Sequence, residues 1–140
     1  LEGIAFSQAG KESYARPGHY NDPDMLIVGE LGWGERTRPT NLTQNEQVLH
    51  ITHWAMVAAP LLLGNDLTKL DPFTLALLTN DEVLAVDQDP LVEQGRRRKV
   101  EETTEVWSRR LVDGTLAVAL YNRGPKRTKV AVSWNELGLV

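Results

Sequence analysis

The segment Pro17-Gly-His-Tyr-Asn-Asp-Pro-Asp-Met-Leu26 contains two carboxylates, an amide, two rings and a thioether within ten residues. The apolar pair Ile27-Val28 follows it directly, an order typical of a strand whose far end opens into a pocket. A strand rises about 3.3 Å per residue and alternates its faces, which would place Asp22 and Asp24 on one side, about 6.6 Å apart. Pro23 lies between them, lacks a backbone N–H and fixes φ, so this segment cannot be an ordinary central strand.

The spacing of Asp22 and Asp24 permits two interpretations. Paired carboxylates can act as general acid and base, as they do in glycoside hydrolysis. Asp-Pro-Asp is also common turn chemistry, in which aspartate side chains accept hydrogen bonds from nearby backbone N–H groups. Local chemistry alone leaves both the catalytic and the structural interpretation open.

The composition is that of an ordinary globular protein. The chain has 140 residues, of which 41% are hydrophobic and 24% charged, and a formal net charge of −4. This length is enough for one modest hydrophobic core. Without a basic excess, neither nucleic acid nor an anionic membrane surface is predicted as a partner. No apolar run approaches the roughly 18 residues of a membrane span.

Cysteine and histidine usage limits the chemistry available within the chain. There are no cysteines, which excludes disulfides, thiolate catalysis and a cysteine-based zinc site within these residues. The three histidines are His19, His50 and His53, and no carboxylate completes a recognisable ligand set with them. No metal site is predicted.

The first part of the chain alternates between helix and strand signals. Thr43 and Glu46 form a capping box, which predicts the start of a helix. The apolar run at residues 61–63 is typical of a parallel strand buried under helices. Further helices are predicted to begin after Asp71 and Asn80. The resulting order of elements predicts an α/β fold.

Residues 29–39 are rich in glycine and charge, which predicts a long loop. Trp33 lies between two glycines of this loop. Its ring could stack on the C–H face of a sugar, or it could fold back over the base of the loop. The sequence favours neither interpretation over the other.

The later part of the chain has a different pattern. The basic run at residues 96–99 stands beside acidic residues, which is typical of a solvated linker. Asp113-Gly114 between two β-rich runs is the strongest short hairpin signal, and residues 129–134 alternate as a further strand would. These observations predict three segments: residues 1–92 in an α/β unit, 93–104 as a linker, and 105–140 as an incomplete antiparallel β domain.

A series of short motifs extends along the whole chain: Tyr20-Asn21-Asp22-Pro23-Asp24-Met25-Leu26, Trp54-Ala55, Ala59-Pro60-Leu61-Leu62, Asn65-Asp66-Leu67, Glu82-Val83, Val86-Asp87-Gln88-Asp89-Pro90-Leu91, Glu105-Val106-Trp107 and Tyr121-Asn122-Arg123. Their order and spacing closely resemble the α-galactosidases (melibiases) of glycoside hydrolase family 27. Each motif is moderately specific by itself, and the whole set is strongly specific.

The resemblance implies a (β/α)8 (TIM) barrel followed by a C-terminal antiparallel β-sandwich domain. This chain would hold the last two barrel strands, at residues 20–28 and 60–64, and the start of the sandwich. The resemblance also implies a retaining hydrolase that acts on a galactose-containing saccharide and needs no cofactor. It further implies an extracellular, periplasmic or lysosomal location.

The resemblance also changes the interpretation of the two aspartates. In the family, the catalytic carboxylates lie in a Lys-x-Asp and an Arg-x-x-x-Asp segment, which are expected upstream of residue 1. No residue of this chain is therefore assigned a catalytic role, and the isolated chain is expected to be inactive. Asp24 and Met25 are carried over as substrate-binding residues of the sugar pocket. Asn21, Asp22 and Trp33 are expected to support that pocket, the first two by hydrogen bonds that hold the strand end.

Three functions stay open at this stage. The first is part of an α-galactosidase, or of a family relative that cleaves α-N-acetylgalactosaminides or β-L-arabinopyranosides. The second is a non-catalytic carbohydrate-binding β module that uses Trp107, Tyr121 and Trp134, although alternation places many of these rings in a core. The third is a segment with no function of its own, whose unpaired strand edges would favour association with other chains.

Overall fold

The computed structural model describes residues 2–139, in which a helical unit packs against an antiparallel sheet. Its elements are α1 (Glu2–Ala5), β1 (Glu30–Leu31), β2 (Arg38–Pro39), α2 (Gln44–Met56), α3 (Pro72–Leu78), α4 (Asp81–Asp87), β3 (Arg96–Glu101), β4 (Thr104–Arg110) and β5 (Leu116–Asn122). β1 pairs with β2 in a small ribbon, and the larger sheet has the order β3-β4-β5.

Helix α2 is the centre of the helical unit, and it begins at the predicted capping box. The backbone N–H of Glu46 donates to the Thr43 hydroxyl at 3.3 Å, and the backbone N–H of Thr43 donates to the Glu46 carboxylate at 2.7 Å. The helix ends at Met56, and Ala58 then turns the chain with a φ of 55°. This end lies just before Pro60, as expected from the exclusion of helical backbone next to proline.

Helices α3 and α4 also begin where the sequence predicts. The Asp71 carboxylate accepts the backbone N–H of Thr74 at 2.9 Å, and proline occupies the first turn of α3. The Asn80 side chain accepts the backbone N–H of Val83 at 3.0 Å. These caps supply acceptors for N–H groups that have no partner inside a helix, which explains why short polar residues mark both boundaries.

The two predicted barrel strands are only partly formed. Residues 20–28 and 60–64 run parallel but meet, within the part of the chain that the structure describes, at a single bridge between Leu26 and Leu63. Two backbone hydrogen bonds of 2.7 and 2.9 Å hold this bridge. Each segment contains a proline, which lacks the N–H that a ladder requires, so the two predicted barrel strands pair with each other only at this bridge within the described residues.

The larger sheet is built around the predicted hairpin. β4 and β5 pair over their whole length on either side of Asp113-Gly114. The Asp113 carboxylate accepts the backbone N–H of Thr115 at 2.9 Å, and Gly114 has a φ of 86°. Glycine is the residue that adopts this left-handed conformation at least cost, so the turn follows from local sequence.

The third strand of the sheet lies inside the predicted linker. β3 pairs with β4 along one edge of the sheet, with a register shift between Arg97 and Lys99. Its arginine side chains are exposed, as expected of a solvated run, while its backbone is paired. Charged side chains are common on edge strands, so a charge pattern does not report backbone pairing. Residues 96–101 are therefore strand, residues 129–134 are not, and the division into two units stays a prediction.

The core lies between α2 and the sheet. Phe6, His53, Trp107 and Tyr121 pack together, with centroids of contacting rings 4.5–6.2 Å apart. Trp107 and Tyr121 are buried, whereas Trp134 is 72% exposed. A sugar-binding platform needs a ring face in solvent, so two of the three aromatic residues considered for a carbohydrate-binding module are instead part of the core.

Two histidines of α2 are buried in or beside this core. The Nε2 atom of His53 lies 2.9 Å from the carbonyl oxygen of Ala5, and the His50 ring stacks on Trp54 with centroids 4.1 Å apart. Burial lowers the pKa of each histidine from 6.5 to about 4. The positive charge of Arg123 contributes further to the lowered pKa of His53.

We expect these histidines to destabilise the fold as the pH falls from 6.5 towards about 4. In that window the unfolded chain binds protons that the folded chain excludes, so the free energy of unfolding decreases on acidification. Replacing His53 with leucine should remove roughly 2–3 kcal/mol of the loss between pH 7 and pH 4.5. Urea unfolding of wild type and variant at both pH values measures this decrease in the free energy of unfolding. An equal decrease in the two proteins would contradict the lowered pKa of His53.

Candidate functional site

The residues of the opening motif, residues 17–26, differ in solvent exposure. Pro23 and Leu26 are buried, whereas Asp22, Asp24 and Met25 are exposed, Met25 by 43%. A carboxylate and a thioether thus lie next to each other on the surface. Both side chains are accessible to a ligand.

Asp24 has a strained backbone with a φ of 85°, in a region that residues other than glycine rarely adopt. Such conformations cost roughly 1–3 kcal/mol and cluster at binding and catalytic sites. Three hydrogen bonds hold it: the Asp24 N–H donates to Asp22 Oδ1 at 2.9 Å, the Met25 N–H to Asp24 Oδ1 at 2.7 Å, and the Trp54 indole N–H to the Asp24 carbonyl at 2.8 Å. Asp22 therefore accepts a backbone hydrogen bond in an Asx turn, which agrees with the structural interpretation of this aspartate.

The Asp24 carboxylate retains acceptor capacity. Its Oδ1 atom accepts the Met25 N–H, and no donor among residues 2–139 hydrogen-bonds to Oδ2. An ionised carboxylate offers about four lone-pair positions, so several remain for the hydroxyl groups of a ligand. The strained backbone fixes the direction in which these acceptors point.

Asn21 connects the motif to the end of the helical unit. Its side-chain amide donates to the Lys11 carbonyl at 2.9 Å and to Gln94 Oε1 at 2.6 Å. The buried Gln94 amide in turn donates to the Gln8 carbonyl at 2.7 Å. Asn21 thus makes hydrogen bonds of the kind expected from a residue that holds the strand end, and its connection to a ligand site stays a prediction.

Trp33 stands apart from these residues, on the loop between β1 and β2. It lies between Gly32 and Gly34, whose φ values are 87° and 66°, and its side chain is 74% exposed. The ring is therefore in solvent and does not fold back over the base of the loop. Within the described residues no ring contact or hydrogen bond joins its side chain to Asp24 or Met25, so its supporting role stays a prediction.

A small cavity adjoins Asp24 and Met25 on the side of helix α2. It has a volume of about 130 Å³, and its wall includes Ile4, His50 and Trp54. Ligand pockets typically have volumes of about 300–1,000 Å³. The cavity is thus too small to be the predicted sugar pocket.

Arg109 joins the sheet to the helical unit. It is 1% exposed, its Nη1 donates to the Ala55 carbonyl at 2.7 Å, and both terminal nitrogens lie 3.3 Å from the Asp87 carbonyl oxygen. Burial raises the pKa of the Asp87 carboxyl to about 6, and the nearby Arg109 charge opposes that rise. Asp87 borders a separate concavity of about 590 Å³ that includes none of the predicted site residues.

Sequence reasoning missed the roles of Trp54 and Arg109. No period-2 pattern in β4 indicates Arg109, because every residue from Glu105 to Arg109 is buried and the two strand faces do not differ. For Trp54 no local signal exists, since the partner of its indole N–H is thirty residues away in sequence.

The described part of the chain contains no arrangement of three or more His, Asp or Glu side chains that could hold a metal ion. Between residues 2 and 139, no helix is long and apolar enough to cross a membrane.

Two protein-family models match the chain. Residues 1–89 match the model described as Alpha galactosidase A. Residues 101–140 match the model described as Alpha galactosidase C-terminal beta sandwich domain.

Individual relatives agree with the family models. The chain is 45% identical to alpha-galactosidase 2 of Arabidopsis thaliana over 91% of its own length and 30% of that protein. It is 42% identical to the alpha-galactosidase of Cyamopsis tetragonoloba over 99% of its own length and 32% of that protein. The crystal structure of a GH27 β-L-arabinopyranosidase from Geobacillus stearothermophilus superposes with a TM-score of 0.78 at 37% identity, covering 86% of this chain and 28% of that one. The chain spans about a third of the length of the curated relatives that it matches.

Proposed function

Because this chain belongs to the α-galactosidase (melibiase) family, glycoside hydrolase family 27, we propose that it forms one wall of the galactose-binding pocket of a retaining glycosidase. The proposal rests on Asp24 and Met25, two adjacent exposed side chains on a backbone held at a strained φ of 85°. A galactosyl pocket needs fixed acceptors for hydroxyl groups and an apolar surface against the ring. The Asp24 carboxylate and the Met25 thioether supply one of each.

The proposed reaction is hydrolysis of a terminal α-linked galactose with retention of configuration. A retaining site needs two carboxyl groups about 5–5.5 Å apart, one as nucleophile and the other as acid/base. We place both outside these 140 residues. Asp22 is engaged in supporting Asp24, since its Oδ1 accepts the Asp24 N–H at 2.9 Å.

The isolated 140-residue chain is expected to have no glycosidase activity, because it would bind only one side of the sugar and would lack both catalytic carboxylates. The test is release of p-nitrophenol from p-nitrophenyl α-D-galactopyranoside, with a commercial α-galactosidase as the positive control. Turnover above the no-enzyme background would contradict the placement of the catalytic groups.

We propose that this chain is part of a longer protein, because it spans about a third of the length of the relatives that it matches, and that longer protein provides the positive test. It should hydrolyse the aryl α-galactoside and release α-galactose first, as followed by NMR of the anomeric proton, because a double displacement retains configuration. Release of β-galactose first, or no hydrolysis, is incompatible with the proposed function.

The same assay should include the α-N-acetylgalactosaminide and the β-L-arabinopyranoside. One structural relative is a β-L-arabinopyranosidase, so the family fold accommodates a sugar without the exocyclic CH2OH group of galactose. We propose the α-galactoside as the preferred substrate, on the basis of the two curated relatives. The ratio of kcat/KM values for the three glycosides decides the specificity.

A further inference from the structure

We propose that Trp54 is a positioning residue for Asp24, and that it directs the Asp24 carboxylate towards the sugar through a single hydrogen bond from helix α2. The inference rests on the proposed function in one respect, namely that Asp24 contacts the substrate. It assigns a functional role to a residue that touches neither the sugar nor the reacting atoms.

The hydrogen bond joins two distant parts of the chain at the strained residue. The buried Trp54 indole N–H lies 2.8 Å from the carbonyl oxygen of Asp24, a residue whose φ is 85°. If Asp24 relaxed to a negative φ, its peptide plane would rotate and its carbonyl would leave the indole. The Trp54 bond therefore favours the left-handed conformer, and with it the direction of the Asp24 side chain.

Asp24 is held from both sides by different elements. Asp22 accepts its N–H at 2.9 Å within the motif, and Trp54 donates to its carbonyl from α2. The local Asx turn alone is available to any Asp-x-Asp sequence. The bond from the helix is the contact that ties the Asp24 backbone to the packed core.

His50 fixes the orientation of the indole. Its ring stacks on Trp54 with centroids 4.1 Å apart and an interplanar angle of 18°, and it is 1% exposed. Neither ring nitrogen of His50 has a hydrogen-bond partner among the described residues, so no hydrogen bond orients the His50 ring away from the stack. A cavity of about 130 Å³ borders both rings.

Trp107 shows that a buried tryptophan in this chain can have a local role. Its indole N–H donates to Glu105 two residues away in the same strand, at 2.8 Å. The Trp54 donor instead reaches the one non-glycine residue with a positive φ in the opening motif. Packing of the ring alone does not require this partner.

The test compares Trp54→Phe with Trp134→Phe in the longer protein that carries this chain. Both changes remove an indole N–H, but Trp134 is 72% exposed, and no ring contact or side-chain hydrogen bond between described residues joins it to the motif. Trp54→Phe should raise KM for the aryl α-galactoside by about three- to tenfold, the usual effect of one neutral hydrogen bond, with kcat within about twofold of wild type. Trp134→Phe should change neither constant.

Comparing the changes in KM and in kcat separates a positioning role from an effect on stability. A variant that only destabilises the fold reduces the amount of active enzyme, so kcat falls while KM stays constant. An unchanged KM in Trp54→Phe would overturn the proposal, whatever happens to kcat.

Amide hydrogen exchange at Asp24 and Met25 tests the inference without any activity. In Trp54→Phe these two amides should exchange about three- to tenfold faster, while helix α4 stays protected as in wild type. Unchanged exchange would overturn the proposal. If the wild type hydrolyses none of the three glycosides, the proposed function fails, and the exchange rates still decide the positioning role.

His50→Ala is the second variant if Trp54→Phe does not fold. It keeps the indole N–H and removes the stacked ring, so exchange at the Asp24 amide should still rise by about twofold or more. Wild-type exchange in His50→Ala would contradict the role of the stack in holding Trp54.

Discussion

Replacing Asp24 with asparagine is expected to lower kcat/KM for an aryl α-galactoside by about 100-fold. Hydrogen bonds to a charged acceptor contribute roughly 1.5–3 kcal/mol each, and the amide would lose one and weaken another. Asparagine has the same size and also adopts left-handed backbone readily, so the φ of 85° is retained and only the carboxylate is lost. Steady-state kinetics of the longer protein give the value directly.

Asp22→Asn is the matched variant for this experiment. The new amide keeps an oxygen that can accept the Asp24 N–H in the place of Asp22 Oδ1, so kcat/KM should change much less than in Asp24→Asn. Asp81→Asn, at an exposed acid in the first turn of α4, controls for net charge. A large loss in Asp22→Asn together with wild-type rates in Asp24→Asn would reverse the two roles and restore the catalytic interpretation of Asp22.

Replacing Arg109 with methionine is expected to lower the free energy of unfolding by about 2–4 kcal/mol. Methionine fills a similar volume, but it cannot donate to the Ala55 and Asp87 carbonyls, which would then be buried without these donors. It would also leave the Asp87 carboxyl without its neighbouring cation, so the pKa of that carboxyl should rise further above about 6. Urea unfolding at pH 7 measures the loss.

Arg110→Met supplies the control one residue away. Arg110 is exposed and pairs with Glu93 at 2.9 Å on the surface, where solvent screens the ion pair. Its replacement should change the unfolding midpoint little. Similar midpoints for the two variants would contradict the claim that Arg109 joins the sheet to the helical unit.

Features set by neighbouring residues in sequence were predictable. The Thr43 capping box, the Asp71 and Asn80 caps and the Asp113-Gly114 turn all formed as predicted, because each depends on side chains within three residues of the backbone they contact. The family and the fold class were also predictable, and the match to both α-galactosidase models confirms them.

Features set by distant contacts were not predictable. β3 lies in a run of exposed arginines, whose charges describe the solvent side of an edge strand and not its hydrogen-bonded backbone. The Trp54 bond to Asp24 and the Arg109 bonds to the helix ends depend on how elements pack together. No pattern of spacing contains that information.

The assignment of the site residues comes only from family resemblance and stays a proposal. Local chemistry left Asp22 and Asp24 open as a catalytic pair, and the resemblance predicts Asp22 as a support and Asp24 as a substrate-binding residue. The structure adds the strained φ of Asp24 and the exposure of Met25, neither of which can be read from sequence.

A crystal structure of the longer protein with galactose bound tests the central claim most directly. We predict that the Asp24 carboxylate lies within hydrogen-bond distance of the sugar hydroxyls, with the Met25 thioether against the ring and the Trp54 indole N–H still on the Asp24 carbonyl. Galactose bound elsewhere, with Asp24 and Met25 facing solvent, would contradict the assignment of this chain as a wall of the sugar pocket.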